Sequence, residues 1–273
     1  MTLIQRDFSS WYDFVTCVSD ESLFANADKN HESHKKSYNN WYGTYSFDDA
    51  INMALNLGWP EGRKLLIDSL AIVSPKPEPY KSIAYDVAGA FPMIPLYLTG
   101  EPAHMMNFPE QDSIANNPVV RIDYCNGGLS EVLPESLMLR GAAVLSLANT
   151  LEQKGYSTEI RLVVDTRFYF SFQAFQEPTI FKTTIIIKKA GEPLDLDRLA
   201  FSLAHPSVHR RLRFALIEQH KEFKDKKGST FQFTPDYIPP NVIHITGPNP
   251  NETPQSARLA IEIAAKSYLQ ERN

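Results

Sequence analysis

A mixed α/β fold is predicted by three features of this 273-residue sequence. From residue 118 to residue 165 a strand-like run, a helical run and a second strand-like run follow one another, at the length a parallel crossover needs. Before residue 75 the apolar residues recur with helical period. Between the two lies a segment with eight prolines: Pro75, Pro77, Pro79, Pro92, Pro95, Pro102, Pro109 and Pro118. Proline removes backbone donors and blocks helix interiors, so this segment reads as an extended connector. The expected division is a helical N-terminal region with its connector over 1–117, and an α/β domain over 118–273.

The elements follow in order. Phe8, Trp11, Tyr12, Phe14 and Val15 suggest one short amphipathic helix. The polar tract 25–40 reads as a loop, with His31 and His34 solvated. Ser46 is placed to cap a helix whose first turn holds Asp48 and Asp49. Phe47, Ala50, Ile51, Ala54 and Leu55 form its apolar face, and Gly58 ends it. Pro60 opens a second helix running towards Val73. Trp41 and Trp59 bracket the first helix and suit structural packing. Within the connector, Ile83–Ala88 and Ile94–Thr99 read as short strands.

Val119–Tyr124 is the first strand of the α/β region, and Asn126-Gly127-Gly128 is a turn signal. Pro134 opens a helix that puts Leu137, Gly141, Val144, Leu145, Ala148 and Leu151 on one face; Gly155 closes it. Thr158–Asp165 and Thr179–Lys188 are further strands. Asp195–Ala204 begins a helix that Pro206 interrupts, and a second helix is expected over 205–227. Asn241–Thr246 is a strand in which His244 reads as a core histidine. Thr253 and Pro254 start the last helix, Gln255–Gln270.

The totals exclude several classes. A hydrophobic fraction of 43% is that of a globular chain. No run of about 18 apolar residues is present, and the first residues carry no signal-peptide pattern. Two cysteines, Cys17 and Cys125, lie far apart with no CxxC, which suits a reducing compartment and a cytoplasmic protein. There is no GxxxxGK[ST], no GxGxxG after a strand and no GxSxG. His205 and His209 have zinc-helix spacing, but Pro206 and the missing glutamate speak against it. The expectation is a non-enzymatic protein without cofactor or metal.

Charge is unevenly spread. Residues 1–117 hold 8 Lys/Arg against 15 Asp/Glu, 118–160 hold 3 against 5, 161–233 hold 13 against 8, and 234–273 hold 3 against 4. An acidic chain with one basic segment can bind a polyanion through one focused groove. At about 100° per residue, Arg210, Arg213, Lys221 and Lys224 form a stripe opposite the apolar face of the 205–227 helix, with Phe214 inside the stripe. Lys188, Lys189, Lys226 and Lys227 add charge. The stretch Arg167-Phe168-Tyr169-Phe170-Ser171-Phe172-Gln173-Ala174-Phe175 has five rings in nine residues. Bases stack on such rings at roughly 1–3 kcal/mol each without sequence preference. The candidate nucleic-acid-binding residues are therefore these eight cations with Phe168, Tyr169, Phe170, Phe172 and Phe214.

Three blocks carry a resemblance. They are Trp41-Tyr42-Gly43-Thr44-Tyr45-Ser46-Phe47 with Gly58-Trp59-Pro60-Glu61-Gly62, Arg140-Gly141-Ala142-Ala143, and His205-Pro206-Ser207-Val208-His209-Arg210-Arg211. Together they look like blocks of a tailed-phage protein family, and within it the chain resembles the single-stranded-DNA-binding RNA polymerase cofactors of N4-related phages. That resemblance implies a protein that holds unpaired promoter DNA, recruits a phage RNA polymerase and self-associates. The 118–165 unit is also similar to the start of a von Willebrand factor A-type domain, a protein-interaction module. The metal motif of that family is Asp-x-Ser-x-Ser. Here it reads Asp123-Tyr124-Cys125-Asn126-Gly127, so both serines are missing and the metal site is degenerate.

Overall fold

The structure is a computed structural model, described over residues 2–23, 32–36, 41–64, 84–87, 91–107, 118–127, 131–169, 179–220, 223, 227–230 and 242–270. It is mixed α/β. Its main sheet runs in the order β1-β7-β6-β5-β9, with β8 pairing β6 off that path. The strands are β1 (Thr2–Phe8), β5 (Val119–Tyr124), β6 (Ser157–Tyr169), β7 (Thr179–Lys188), β8 (Lys227–Thr230) and β9 (Val242–Ile245). The helices of the same unit are α1 (Trp11–Ser19), α2 (Phe47–Asn52), α3 (60–64), α5 (Pro134–Gln153), α6 (Leu196–Ala204), α7 (Phe214–Glu218) and α8 (Pro254–Gln270). Two π-helical turns, Met53–Leu57 and Val208–Arg213, continue α2 and precede α7.

The predicted crossover is present. β5 and β6 are parallel, with Ile122 opposite Ile160, and α5 joins them. β9 lies on the other side of β5, also parallel, and β7 is antiparallel to β6. Alternation sets the two faces of the sheet. Ile122, Tyr124, Ile160, Leu162 and Ile185 are buried in the core with α1, α5, α6 and α7. The opposite row is half-buried and charged. There the register partners Arg121 and Glu159 pair at 2.6 Å, and Arg161 holds Asp123 through two bonds of 2.6 and 2.7 Å. His244 stands opposite Asp123 in this half-buried row, not in the core.

The division at residue 117 differs from the one observed. Residues 1–74 and 119–273 form one compact unit, and 75–118 form another. β1, which no local pattern marked, pairs in parallel with β7, Thr2 opposite Thr179. Phe14, Val15 and Val18 of α1 are fully buried in the same core as Ile160 and Leu162. Each such side chain contributes about 1.5–3 kcal/mol, so the N-terminal region belongs to the core of the α/β sheet.

The second unit contains β2 (Ala84–Asp86), β3 (Phe91–Pro92) and β4 (Met105–Asn107) in the antiparallel order β2-β4-β3, with a short helix α4 (Ile94–Leu98). The strand expected over Ile94–Thr99 is this helix instead. Pro95 presets its first turn, and Gly100, at φ 77°, ends it in the left-handed region that favours glycine.

Two helix readings are also corrected. Ser46 caps α2 as expected, exchanging bonds with Asp49 at 2.9 and 3.1 Å. The π-helical turn that follows carries an extra residue per turn, and Leu55 is left 42% exposed. Among its described residues, the helix expected over 205–227 is α-helical at 206–207 and 214–218, with the second π-helical turn between, and Lys227 opens strand β8.

Candidate functional site

The first part of the stretch predicted as a basic surface is buried. Every residue from Leu199 to Arg213 is buried. Arg210, 3% exposed, donates to the carbonyls of Trp41 and Val132 at 2.6 and 2.5 Å, and its guanidinium lies 4.6 Å from the Trp41 ring. Arg211, fully buried, donates to four carbonyls, those of Ser33, Lys35, Thr44 and Tyr45, at 2.8 to 2.9 Å. Arg213, 2% exposed, donates to Val164 O at 3.2 Å. Burial pushes Arg210 and Arg213 down to about 10 and also lowers Arg211. Five guanidinium donors per arginine need acceptors inside a protein; backbone carbonyls of distant segments supply those of Arg210 Nη1 and Nη2, Arg211 Nη1 and Nη2 and Arg213 Nη2, while Arg211 Nε and Arg213 Nε and Nη1 have no partner among the described residues.

Arg210 and Arg213 are therefore corrected from phosphate contacts to interior residues. Phe214 is corrected as well: it is half-buried, 6.2 Å from the Trp41 ring and 5.5 Å from the His209 ring. Lys188, 1% exposed, donates to Thr158 O at 2.9 Å and pairs with Glu152 at 2.7 Å, tying the end of β7 to α5. Phe168 is buried and stacks on Phe223 at 4.2 Å. Lys189 is exposed as expected. Phe170, Phe172, Lys221, Lys224 and Lys226 lie outside the described residues, as does His31. His34, expected in solvent, is half-buried with its ring 4.2 Å from that of Phe47.

The three sequence blocks meet around the buried arginines. Gly43, at φ 76°, leaves no room for a Cβ, which would lie 2.8 Å from His205 Cε1. The Trp59 ring is 4.5 Å from that of His205, so both bracketing indoles pack as expected. A Cβ on Gly141 would meet Ala204 Cβ at 2.9 Å. Burial holds His205 near 3 and His209 well below the usual histidine range, with Arg213 and Arg210 adding to the effect on His209. His205 Nδ1 is engaged with Ser207 Oγ at 2.6 Å. Among the described residues no three His, Cys, Asp or Glu could together hold a metal ion.

In open α/β sheets, ligands bind beyond the carboxyl ends of the strands where the connections diverge. Here that place lies between β5 and β9, and its crevice is filled. Arg140, 2% exposed, pairs with Glu252 at 2.6 Å and donates to Thr246 O at 3.0 Å. Ser136 Oγ donates to Pro250 O. Cys125, also buried, has its thiol pushed up to about 11 by desolvation, which favours the thiol over the thiolate. Asp165 is raised by burial, against the lowering pull of Lys182 and Arg213.

β8 pairs antiparallel with the last residues of β6, with Phe168 opposite Gly228 and Tyr169 opposite Lys227. The chain leaves β6 at Tyr169 into the rest of the aromatic run. It enters β8 at Lys227 out of the lysine run. Tyr169 and Lys227, 58 positions apart in sequence, thus stand opposite one another.

The model of one family, described as a domain of unknown function (DUF7192), matches residues 2–265. The chain belongs to the DUF7192 family. No curated protein and no solved structure matches it. The DUF7192 match runs from β1 into α8, so the family's domain includes the N-terminal strand and helices as well as the α/β half. Among the described residues of this DUF7192 chain, no helix is long and apolar enough to cross a membrane.

Proposed function

We propose that this protein binds single-stranded DNA, without catalysing a reaction, at the carboxyl end of β6. The observation that carries the reading is the pairing of Tyr169 with Lys227. It sets the position where the ring-rich run 168–175 leaves β6 opposite the position where the lysine-rich run 221–227 enters β8, and a single-strand interface needs both parts: rings for bases and cations for phosphates. The interface is narrower than the sequence stripe, because Arg210, Arg213, Lys188 and Phe168 serve the core. By its resemblance to the phage cofactors, the bound strand is unpaired promoter DNA, the partner is a phage RNA polymerase, and the protein self-associates in the host cytoplasm.

The test is a fluorescence-anisotropy titration with a single-stranded oligonucleotide, its duplex and the matching RNA, at two salt concentrations. We expect preference for the single strand, and an affinity falling with a log–log slope of about −0.7 per phosphate neutralised. Lys224→Ala/Lys226→Ala/Lys227→Ala should weaken binding at least ten-fold, as loss of roughly 1.4 kcal/mol requires. A folded triple variant with full affinity would remove this interface.

A second reading is favoured by the β5–α5–β6 crossover flanked by β7 and β9. It is a von Willebrand A-like protein-interaction module in which Asp123 has exchanged a metal for Arg161. Co-purification of one protein, with no oligonucleotide bound at either salt concentration, would favour it.

A further inference from the structure

A cleft of about 480 Å³ opens between the start of α1, the Met53–Leu57 turn and the connection from β7 to α6. That volume lies within the roughly 300–1,000 Å³ of small-molecule sites. Its inner wall is apolar and fixed. Trp11, 6% exposed, donates its indole N–H to Ala54 O at 3.0 Å and stands edge-on to Phe201 at 6.0 Å. The π-helical form of the turn beside it is a conformation that occurs mostly as single turns, frequently at functional sites. At the rim Tyr12 is 67% exposed, and Lys189 is exposed close by.

The charges around the cleft are not equivalent. Its three carboxylates are engaged. Asp195 caps α6 by accepting from the Arg198 N–H at 3.2 Å. Glu192 accepts from the Lys189 backbone N–H at 3.1 Å and from Arg198 Nη2 at 3.5 Å. Asp197 pairs with Arg63 at 3.2 Å. The donors have capacity left. Arg198 lines the cleft with its side chain 34% exposed, and the Lys189 ammonium makes no ion pair within 4.0 Å among the described residues. A cleft with satisfied carboxylates, spare cationic donors and an aromatic rim suits a flat ring that carries an anionic oxygen group.

We propose that this cleft binds one nucleotide, with the base against Tyr12 and the apolar wall and the phosphate on Lys189 and Arg198. The site is separate from the strand interface: β7 runs from Thr179, opposite Phe168, down to Lys188 beside this cleft. The nucleotide is either a free mononucleotide or one unit of a bound strand. Both present the same ring and phosphate.

The probes are AMP, adenosine and inorganic phosphate, titrated calorimetrically into the full chain. AMP should bind, and each half alone should bind at least ten-fold more weakly. Tyr12→Ala and Lys189→Ala, both at exposed positions, should each weaken AMP at least ten-fold while circular dichroism and melting stay unchanged. Lys224→Ala/Lys226→Ala/Lys227→Ala should leave AMP binding unaltered, so failure of the strand interface and failure of this cleft are separable. Competition between AMP and a single-stranded oligonucleotide identifies the ligand as part of a strand; binding of both together identifies a free nucleotide. Absence of AMP binding at millimolar concentration, or equal affinity in wild type and both single variants, overturns the assignment.

Discussion

Arg211 shows how one side chain can order a loop. Its four carbonyl acceptors lie on residues 33, 35, 44 and 45, so two separate stretches, 33–35 and 44–45, are gathered around one guanidinium. Each unmade bond to a buried carbonyl would cost about 1–3 kcal/mol, and the loop is held accordingly. The histidines next to it carry a pH dependence. Burial keeps His205 and His209 neutral in the folded protein, whereas in the unfolded chain they titrate near 6.5. Their folded pKa values are depressed, so their stabilisation is present above 6.5 and is lost as pH falls towards the folded values. Two protons taken up on unfolding correspond to about 2.7 kcal/mol per pH unit once both unfolded imidazoles are charged. Asp165 is shifted the other way and works against this loss. In Asp165→Asn, which removes that opposition, urea unfolding at pH 6 and pH 5 should differ by about 2 kcal/mol. Equal stabilities at the two values would show that the imidazoles are not held neutral. None of this is visible on a helical wheel: a wheel shows where charges recur, but the acceptors of Arg210 and Arg211 come from residues 33–45 and Val132.

At the scale of elements, local chemistry was legible where the cause was local. Ser46 with Asp49, Pro134 at the start of α5, and the alternation in β5 and β7 all lie within a few residues of their effect. The π-helical turns and β1 were not legible. A π-helical turn changes the angular spacing that the wheel assumes, so Arg210, Arg213 and Phe214 were assigned to a solvent-facing stripe they do not occupy. β1 is half exposed, and its partner begins at Thr179. The packing of α5 on α6 gives a prediction at this scale. Gly141 sits inside α5, where alanine would ordinarily be preferred by about 1 kcal/mol. Its Cβ would instead lie 2.9 Å from Ala204 Cβ and 3.3 Å from Ala204 Cα, and neither atom is at the end of a flexible chain. Gly141→Ala should therefore destabilise by about 1–3 kcal/mol, as overpacked cores do. Gly141→Ala/Ala204→Gly should recover most of that loss, and chemical denaturation of the four proteins in the cycle measures the coupling. Additive effects would mean that the helices do not approach so closely.

For the whole molecule, the order of the chain decides what can fold alone. The central sheet needs β1 from the beginning of the sequence to cover the free side of β7, while its core takes Phe14, Val15 and Val18 from α1. Arg210 and Arg211 need the carbonyls of residues 33–45. A fragment comprising residues 118–273 would thus expose an unpaired strand, an apolar wall and two buried guanidiniums with most of their acceptors gone. It carries the whole βαβ unit and the whole basic segment, yet it should show no cooperative thermal transition. The insertion 75–118 stands differently. It forms its own compact unit with its own three-stranded sheet, and the strand partner of β1 and the carbonyl acceptors of Arg210 and Arg211 named above lie at other positions. Replacing it by a flexible glycine–serine linker of about 20 residues, which spans roughly 25 Å on average, should leave a single cooperative transition. Far-ultraviolet circular dichroism during heating distinguishes the two chains. A cooperative melt from the fragment, with none from the linker variant, would move the structural boundary back to residue 117.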